Sequence, residues 1–193
     1  MVLAVTKNEA RYATVGTPAK FWSKWKEDVA DADLAPLLER PLPDSVKASL
    51  FDLAFAELGV REDIAPYLVG RQPTGQDCVL HALCRPQRLL EMAWAFTVFD
   101  GGLRKIARYQ QVFAIQEVLR RVRQVGADGR RRGGIVWHTQ GSGKSLTMVM
   151  LAVKMRRDPE LQKYKLVFVT DRTQLDSQLS DTFRAAQSET IYN

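Results

Sequence analysis

The chain of 193 residues is 46% hydrophobic and 26% charged, a balance typical of a folded protein of one or two domains. Its net charge of +6 and pI near 9.5 favour a polyanionic partner. Its apolar runs fall short of the roughly 20 residues that span a bilayer, and the N-terminus lacks the form of a signal peptide. We therefore expect a cytoplasmic protein with no membrane partner.

The first half of the chain predicts two regions, and neither contains a set of residues that suggests chemistry. Residues 1–42 combine aromatic and basic residues with prolines, which predicts an irregular linker or the edge of something larger. Residues 43–103 are predicted to be a helical connecting region. A first helix there opens at Pro43-Asp44-Ser45 and closes at Gly59, and a second runs from about Gln87 to Phe96.

Cys78, His81 and Cys84 have the residue types of a zinc site, but we reject that interpretation. Three ligands fall short of the four that a structural zinc site needs. If the segment is helical, the two cysteines lie ~9 Å apart along the helix axis, too far for a disulfide. The sequence therefore predicts two buried thiols.

Residues 104–125 predict a long amphipathic helix, which Gly126-Ala-Asp-Gly129 ends. Nine basic residues lie between positions 104 and 132, and only two acidic residues oppose them. A solvated helix face and loop would explain this charge without any ligand. Because the glycine-rich run 138–145 follows closely, nucleic acid is the better explanation. We therefore take Arg130, Arg131 and Arg132 as candidate nucleic-acid-binding residues.

Residues 138–145, His-Thr-Gln-Gly-Ser-Gly-Lys-Ser, are typical of a phosphate-binding loop between a strand and a helix. Gly141 and Gly143, on either side of Ser142, would let the backbone curl until several N–H groups point inward, and the helix N-terminus adds to that positive field. Lys144 would reach the β- and γ-phosphates of a nucleotide, while the Ser145 hydroxyl would take a site on Mg²⁺. A chance glycine-rich turn is the alternative, but a lysine in a helix's first turn opposes the helix dipole.

The remainder of the chain predicts a parallel α/β fold. A strand at 134–138, a helix from about 144 to 157, a strand at 165–170 and a helix around 175–183 make a βαβα unit. A parallel sheet does not stop at two strands. We therefore expect the opening part of a RecA-like P-loop sheet, truncated.

The run from Trp137 to Met148, followed by Val169-Thr-Asp-Arg172, Leu175-Asp176 and Gln178, closely resembles the endonuclease (R) subunit of type I restriction enzymes. Those subunits carry a nuclease domain followed by a superfamily 2 helicase-like motor. The resemblance covers most of the chain and is strongest from 85 to 183. It implies double-stranded DNA as a partner, together with the methyltransferase and specificity subunits of a restriction complex.

The resemblance also implies roles for regions and residues. Residues 1–42 would border an absent nuclease domain, and 104–193 would be the N-terminal part of the first motor lobe. Gly141 to Ser145 match the helicase motif that binds ATP phosphates and Mg²⁺. Thr170, Asp171 and Arg172 match a motif expected beside a DNA strand. Gln111 is the candidate for reading adenine, with Gln110 as the alternative.

Two features of the family's chemistry are missing from the sequence. ATP hydrolysis needs an Asp-Glu pair after the phosphate-binding loop, and the chain contains no Asp-Glu dipeptide. The nuclease needs a Glu-x-Lys or Gln-x-Lys element, and neither occurs. We therefore expect no catalytic residue in this chain and no activity from it alone.

Two other functions compete with the translocase motor. A small P-loop kinase or related phosphotransferase would use Asp171 to serve Mg²⁺. The run Thr-Asp-Arg-x-x-Leu-Asp argues against that enzyme class. An inactive remnant that binds DNA or a partner subunit is the third possibility.

Overall fold

The structure is a computed structural model of the chain, and the residues it describes are 1–41, 43–51, 71–100, 102–169, 180–181 and 183–184. Its strands and helices, in chain order, are β1 (Val2–Val5), β2 (Ala10–Ala13), a 3₁₀ turn (Ala19–Phe21), α1 (Asp31–Leu38), α2 (Asp44–Phe51), α3 (Gly75–Cys84), α4 (Pro86–Trp94), β3 (Thr97–Asp100), β4 (Leu103–Ile106), α5 (Tyr109–Arg123) and α6 (Lys144–Arg156). β1 pairs with β2, and β3 pairs with β4. The fold is therefore mixed α/β. Among the residues described, no helix is both long and apolar enough to cross a membrane.

The chain divides into two compact units, one of residues 5–10 and 26–85 and the other of residues 1–4, 11–25 and 86–193. The N-terminal 42 residues contain two strands and a helix where the sequence predicted irregular structure. Because those strands have only four residues each, their apolar pattern is too short to stand out in the sequence.

Packing of α1 against α3 organises the first of these units, and Leu34 and Leu83 are buried in it. Thr74 caps α3 by accepting a hydrogen bond from the Asp77 N–H, and Asp77 in turn accepts one from the Thr74 N–H. The Arg71 guanidinium binds both carboxylate oxygens of Asp77 at 2.7 and 2.8 Å. That pair holds the pKa of Asp77 well below its usual range.

Helix α3 also carries Cys78 and Cys84, both as free thiols. Each is half-buried rather than fully buried as the sequence predicted. Burial raises the pKa of the Cys84 thiol.

The other unit is built around α5 and α6. Val112, Ile115 and Leu119 of α5 are buried, as are Val149 and Met150 of α6. These side chains recur at helical spacing, so each helix presents one apolar face to the core. The helices predicted at 87–96 and 144–157 are confirmed as α4 and α6.

Helix α5 begins at Tyr109, so the prediction of a helix from residue 104 is wrong over its first residues. Residues Leu103–Ile106 form β4 instead, which pairs antiparallel with β3 from Thr97↔Ile106 to Asp100↔Leu103. Gly102 lies in the two-residue connection with φ of +75°, a conformation that favours glycine. Pairing with β3 makes this segment a strand. The helical periodicity of the segment's own residues does not show that pairing.

A polar contact among three helices fixes their arrangement. The Glu91 carboxylate of α4 forms an ion pair with Lys154 of α6 and accepts hydrogen bonds from Gln116 Nε2 of α5 at 3.1 and 3.2 Å. Arg88 lies one helical turn before Glu91, with its Nη1 at 3.8 Å. One carboxylate therefore joins α4, α5 and α6.

The N-terminal segment packs against the start of α5. Tyr12 is buried, and its hydroxyl donates to the Ala107 carbonyl oxygen at 2.8 Å, just before α5 begins. Its ring meets Trp25 edge-on at 5.8 Å between centroids, and Trp25 in turn lies 5.6 Å from Phe113. Burial raises the pKa of Tyr12 above its ordinary value. These contacts fix the N-terminal end of α5 in the core.

The strands predicted at 134–138 and 165–170 are not formed in residues 134–138 and 165–169, and Thr170 lies outside the described residues. Ile135 and Val169 are 93% and 91% exposed. Both runs have the β-branched composition of a buried strand, but a strand also requires a neighbouring strand. Neither run pairs with one in the part of the chain that the structure describes.

Candidate functional site

The connection into α6 curls through two glycines in the left-handed region. Gly141 has φ of +73° and Gly143 has φ of +84°. Gly143 is the N-cap of α6, and its carbonyl oxygen accepts the Thr147 N–H at 3.0 Å and the Thr147 hydroxyl at 3.1 Å. This curl places residues 141–143 directly at the positive end of a 13-residue helix.

The carbonyl oxygen of Thr139 accepts three hydrogen bonds from later residues of the loop. Its carbonyl accepts the Ser142 hydroxyl at 2.7 Å and the Ser142 N–H at 3.3 Å. It also accepts the Lys144 ammonium at 2.9 Å. Lys144 therefore lies across residues 139–143, with its charge held beside the loop's own backbone.

Gln111 attaches this loop to the N-terminal turn of α5. Its side chain is only 4% exposed. The Oε1 atom accepts the Arg108 N–H at 2.8 Å, and Nε2 donates to the Gly143 carbonyl at 3.1 Å. A Cβ atom at residue 143 would lie 2.8 Å from Gln111 Nε2, so this contact needs glycine there. The Gln111 amide thus forms one hydrogen bond with the N-terminal end of α5 and another with the loop.

A cavity of about 580 Å³ opens beside the loop. The residues that line it are Arg108, Gln110, Gln111, Trp137, His138, Thr139, Gln140, Gly141 and Ser142. Its volume lies within the range of small-molecule sites. Among these lining residues, none is an aspartate or a glutamate, while Arg108 contributes a positive charge. The cavity therefore suits an anionic ligand.

The predicted cofactor-binding residues come together at this cavity. Gly141, Ser142 and Gln111 line it, Gly143 and Lys144 adjoin them, and Ser145 follows in the first turn of α6. Gln110 is exposed and lines the same cavity, whereas Gln111 is buried beside it. The candidate DNA-contacting residues 170–172 lie outside the described residues.

The arginine triplet is not part of this cavity. Arg130, Arg131 and Arg132 lie in a short hairpin at the other end of α5, where Arg131 forms an isolated antiparallel bridge with Val125. All three residues are exposed. The structure therefore separates the two sets of predicted site residues between the two ends of one helix.

Several lining residues were not singled out from the sequence: Arg108 and Trp137, together with His138, Thr139 and Gln140 of the predicted loop. Thr139 acts through its backbone oxygen, and a backbone role is not encoded by residue type. Trp137 was taken as part of a buried strand but is 90% exposed. Arg108 lies next to the predicted glutamines, and its position just before the helix start was the available signal.

Comparison with known proteins agrees with the resemblance that the motifs suggested. Residues 110–193 match the family model of the SWI2/SNF2 ATPase. The chain is 37% identical over 115 residues to the type I restriction enzyme HindI endonuclease subunit of Haemophilus influenzae. That alignment covers 56% of this chain and 11% of the relative. The chain is similar to type I restriction endonuclease subunits.

Two further relatives support the same family. A putative type I restriction enzyme MjaIXP endonuclease subunit from Methanocaldococcus jannaschii is 37% identical over 124 residues, which is 62% of this chain and 12% of that protein. A type I restriction enzyme endonuclease subunit of Staphylococcus aureus strain COL is 30% identical over 101 residues, 51% of this chain and 10% of its own length. The chain thus spans about a tenth of these relatives. No solved structure matches it.

Proposed function

We propose that this chain binds the phosphates of ATP through Gly141–Ser145. It would do so as part of an ATP-driven motor that moves double-stranded DNA in a type I restriction system. The observation that carries the proposal is the cavity lined by the left-handed Gly141 and by Ser142, because the N-terminus of α6, with Lys144 in its first turn, follows directly after these residues. The similarity of residues 110–193 to SWI2/SNF2 ATPases supports the same nucleotide class.

Different residues would contact different parts of ATP. The loop N–H groups and Lys144 would hold the phosphates. Gln111 is the proposed contact for adenine, with Gln110 as the alternative, because both lie at the cavity and a primary amide can both donate and accept. Gln111 would in addition keep the loop in place, since its amide is already bonded to Gly143.

Mg²⁺ would enter with the phosphates rather than as a resident metal. Among the described residues, no group of three or more His, Cys, Asp and Glu side chains is placed to hold a metal ion. The Ser145 hydroxyl is the ligand that this chain would offer. The ion would neutralise phosphate charge.

We assign binding rather than hydrolysis to these residues. The part of the cavity wall described above offers no carboxylate to orient a water molecule, and the sequence has no Asp-Glu dipeptide. In the whole protein, hydrolysis and DNA cleavage would depend on segments outside the tenth that this chain represents. The methyltransferase and specificity subunits are the proposed partners there.

The DNA contacts in this proposal are Thr170, Asp171 and Arg172 together with the arginine triplet. The parallel sheet expected from the sequence also belongs to the proposal. Residues 135–137 and 167–169 are exposed apolar runs that a neighbouring strand would cover.

Calorimetric titration of the 193-residue chain with Mg·ATP tests the site. Lys144→Ala removes a charge-assisted contact, so we expect a roughly ten- to hundredfold loss of affinity. Lys165→Ala is the matched control, because Lys165 is exposed and lies outside the cavity. Equal affinity of both variants, or no binding by the unmodified chain, would contradict the proposal.

A further inference from the structure

The three arginines of the triplet are not equivalent in the structure. Arg131 is bound on its own chain: Nη1 donates to the Val122 carbonyl at 2.6 Å, and Nη2 donates to the Tyr164 hydroxyl at 2.6 Å. Its guanidinium also lies over the Tyr164 ring, 4.6 Å from the centroid. Arg131 therefore joins the C-terminal end of α5 to the segment after α6.

The geometry of the hairpin places Arg130 and Arg132 on the opposite face from Arg131. The bridge between Val125 and Arg131 is flanked by two hydrogen bonds, from the Gly126 N–H to the Arg130 carbonyl at 2.8 Å and from the Arg132 N–H to the Gln124 carbonyl at 3.2 Å. Successive side chains alternate between the two faces of a strand pair. Arg130 and Arg132 consequently share the face opposite Arg131.

Two hydrogen bonds stabilise the turn at the tip of the hairpin. Asp128 Oδ1 accepts the Arg130 N–H at 3.1 Å, and the Gly129 N–H donates to the Gly126 carbonyl at 2.9 Å. Gly129 has φ of +72°. The Asp128 carboxylate thus has a backbone partner in the turn, and the turn fixes where the strand after it begins.

Arg121 is a third cation at the C-terminal end of α5. The Arg121 side chain runs along the backbone of Gly134, where a Cβ atom would lie 3.5 Å from Arg121 Nε. Its helical neighbours are paired, Arg120 with Glu117 and Arg123 with Asp158. Glu117 and Asp158 are therefore bound by other arginines, while the Asp128 carboxylate accepts the Arg130 backbone N–H.

No ion pair involves Arg121, Arg130 or Arg132 within residues 102–169. All three are exposed. Exposed guanidinium ions that form no ion pair within that range suit a polyanion with closely spaced charges, and duplex DNA carries one charge per roughly 1.7 Å of its axis. The net charge of +6 favours the same class of partner.

We propose that Arg121, Arg130 and Arg132 contact the phosphate backbone of duplex DNA, and that Arg131 is the residue that holds their hairpin to the fold. This deepens the proposed function, since DNA is the partner assumed there. It divides the triplet into two DNA contacts and one positioning residue. The site lies at the opposite end of α5 from the nucleotide cavity.

The test is fluorescence anisotropy of the 193-residue chain with a labelled duplex over a range of salt concentrations. Each phosphate contact contributes about 0.9 to the slope of log affinity against log salt. The double variant Arg130→Gln with Arg132→Gln should therefore lower the slope by about 1.8, and Arg121→Gln by about 0.9. The matched control is Lys26→Gln with Arg40→Gln, which removes the same charge from exposed positions elsewhere.

Arg131→Gln separates positioning from contact. We expect a lower melting temperature with little change of the salt slope. The proposal is overturned if the two double variants lower the slope equally, if Arg131→Gln lowers it as much as Arg121→Gln, or if polyglutamate competes as well as unlabelled duplex. Lys144→Ala should lose nucleotide affinity and keep the slope, so failure of the nucleotide site and failure of this surface are distinguishable.

Discussion

The two ends of α5 each attach a loop through one side chain, and they do so by different means. At the N-terminal end, Gln111 is neutral and buried, and its amide bonds backbone atoms on both sides. At the C-terminal end, Arg131 is charged and exposed. A buried hydrogen bond leaves a costly unpaired group when one partner is removed, whereas an exposed one is replaced by water. The first attachment should therefore tolerate little change and the second much more.

The largest effect should come from Gly143→Ala at the N-terminal end. A non-glycine residue in the left-handed region costs about 1–3 kcal/mol. The new Cβ atom would also lie 2.8 Å from Gln111 Nε2 and displace a hydrogen bond worth about 1 kcal/mol. We expect this loss in urea denaturation together with loss of ATP binding.

Gly133→Ala is the control for that change. A Cβ atom at Gly133 meets nothing within 4 Å, and its φ is not positive. This variant should unfold and bind like the unmodified chain. If Gly143→Ala proved equally harmless, the described loop geometry would be incorrect.

Replacing Gln111 should have the next largest effect. Gln111→Leu leaves the Arg108 N–H without its acceptor, at a cost of about 1–3 kcal/mol. Gln111→Glu keeps that acceptor but buries a carboxylate beside the Gly143 carbonyl, so we expect burial and that carbonyl to raise the pKa of the new side chain despite the Arg108 N–H.

The two Gln111 variants should differ in their response to pH. Because the raised pKa favours the protonated form in the folded state, Gln111→Glu should regain stability as the pH falls and lose it as the pH rises. The Leu variant should show no such difference from the unmodified chain. Denaturation at pH 5 and pH 8 measures the contrast, and a Glu variant indifferent to pH would argue against a buried amide contact.

The smallest effect should come from Tyr164→Phe at the C-terminal end. This change removes one hydroxyl from Arg131 but keeps the ring beneath the guanidinium. Since Tyr164 is 37% exposed, we expect a loss below about 1 kcal/mol and no change in ATP affinity. A loss larger than that of Gln111→Leu, measured in the same denaturant, would reverse the comparison between the two ends.

Local signals in the sequence predicted the parts of this site that are local. The Gly-x-Gly-Lys-Ser spacing predicted where α6 begins, because glycine and the helix start are properties of adjacent residues. The start of α5 was predicted wrongly because Leu103–Ile106 pairs with β3, a partner that periodicity does not show. The strand predicted at 134–138 was wrong for the same reason, because an apolar run becomes a strand only beside another strand.

Contacts between distant residues account for the rest. The sequence presents three consecutive arginines as one basic cluster, and nothing in it distinguishes Arg131 from its neighbours. The distinction depends on Tyr164, which is 33 positions away. The contact from Gln111 to Gly143 likewise joins residues 32 positions apart. The candidate residues were therefore accessible from sequence, while their partners were not.

The hydrogen bond from Lys144 to the Thr139 carbonyl has a consequence for how tightly a ligand binds. The loop is closed by its own atoms, so a phosphate of the proposed ligand would not have to order a flexible chain. The phosphate would only replace the Thr139 carbonyl oxygen as the hydrogen-bond acceptor of the Lys144 ammonium group. Affinity at this site then reflects the difference between a carbonyl oxygen and a phosphate oxygen as partners for one ammonium group.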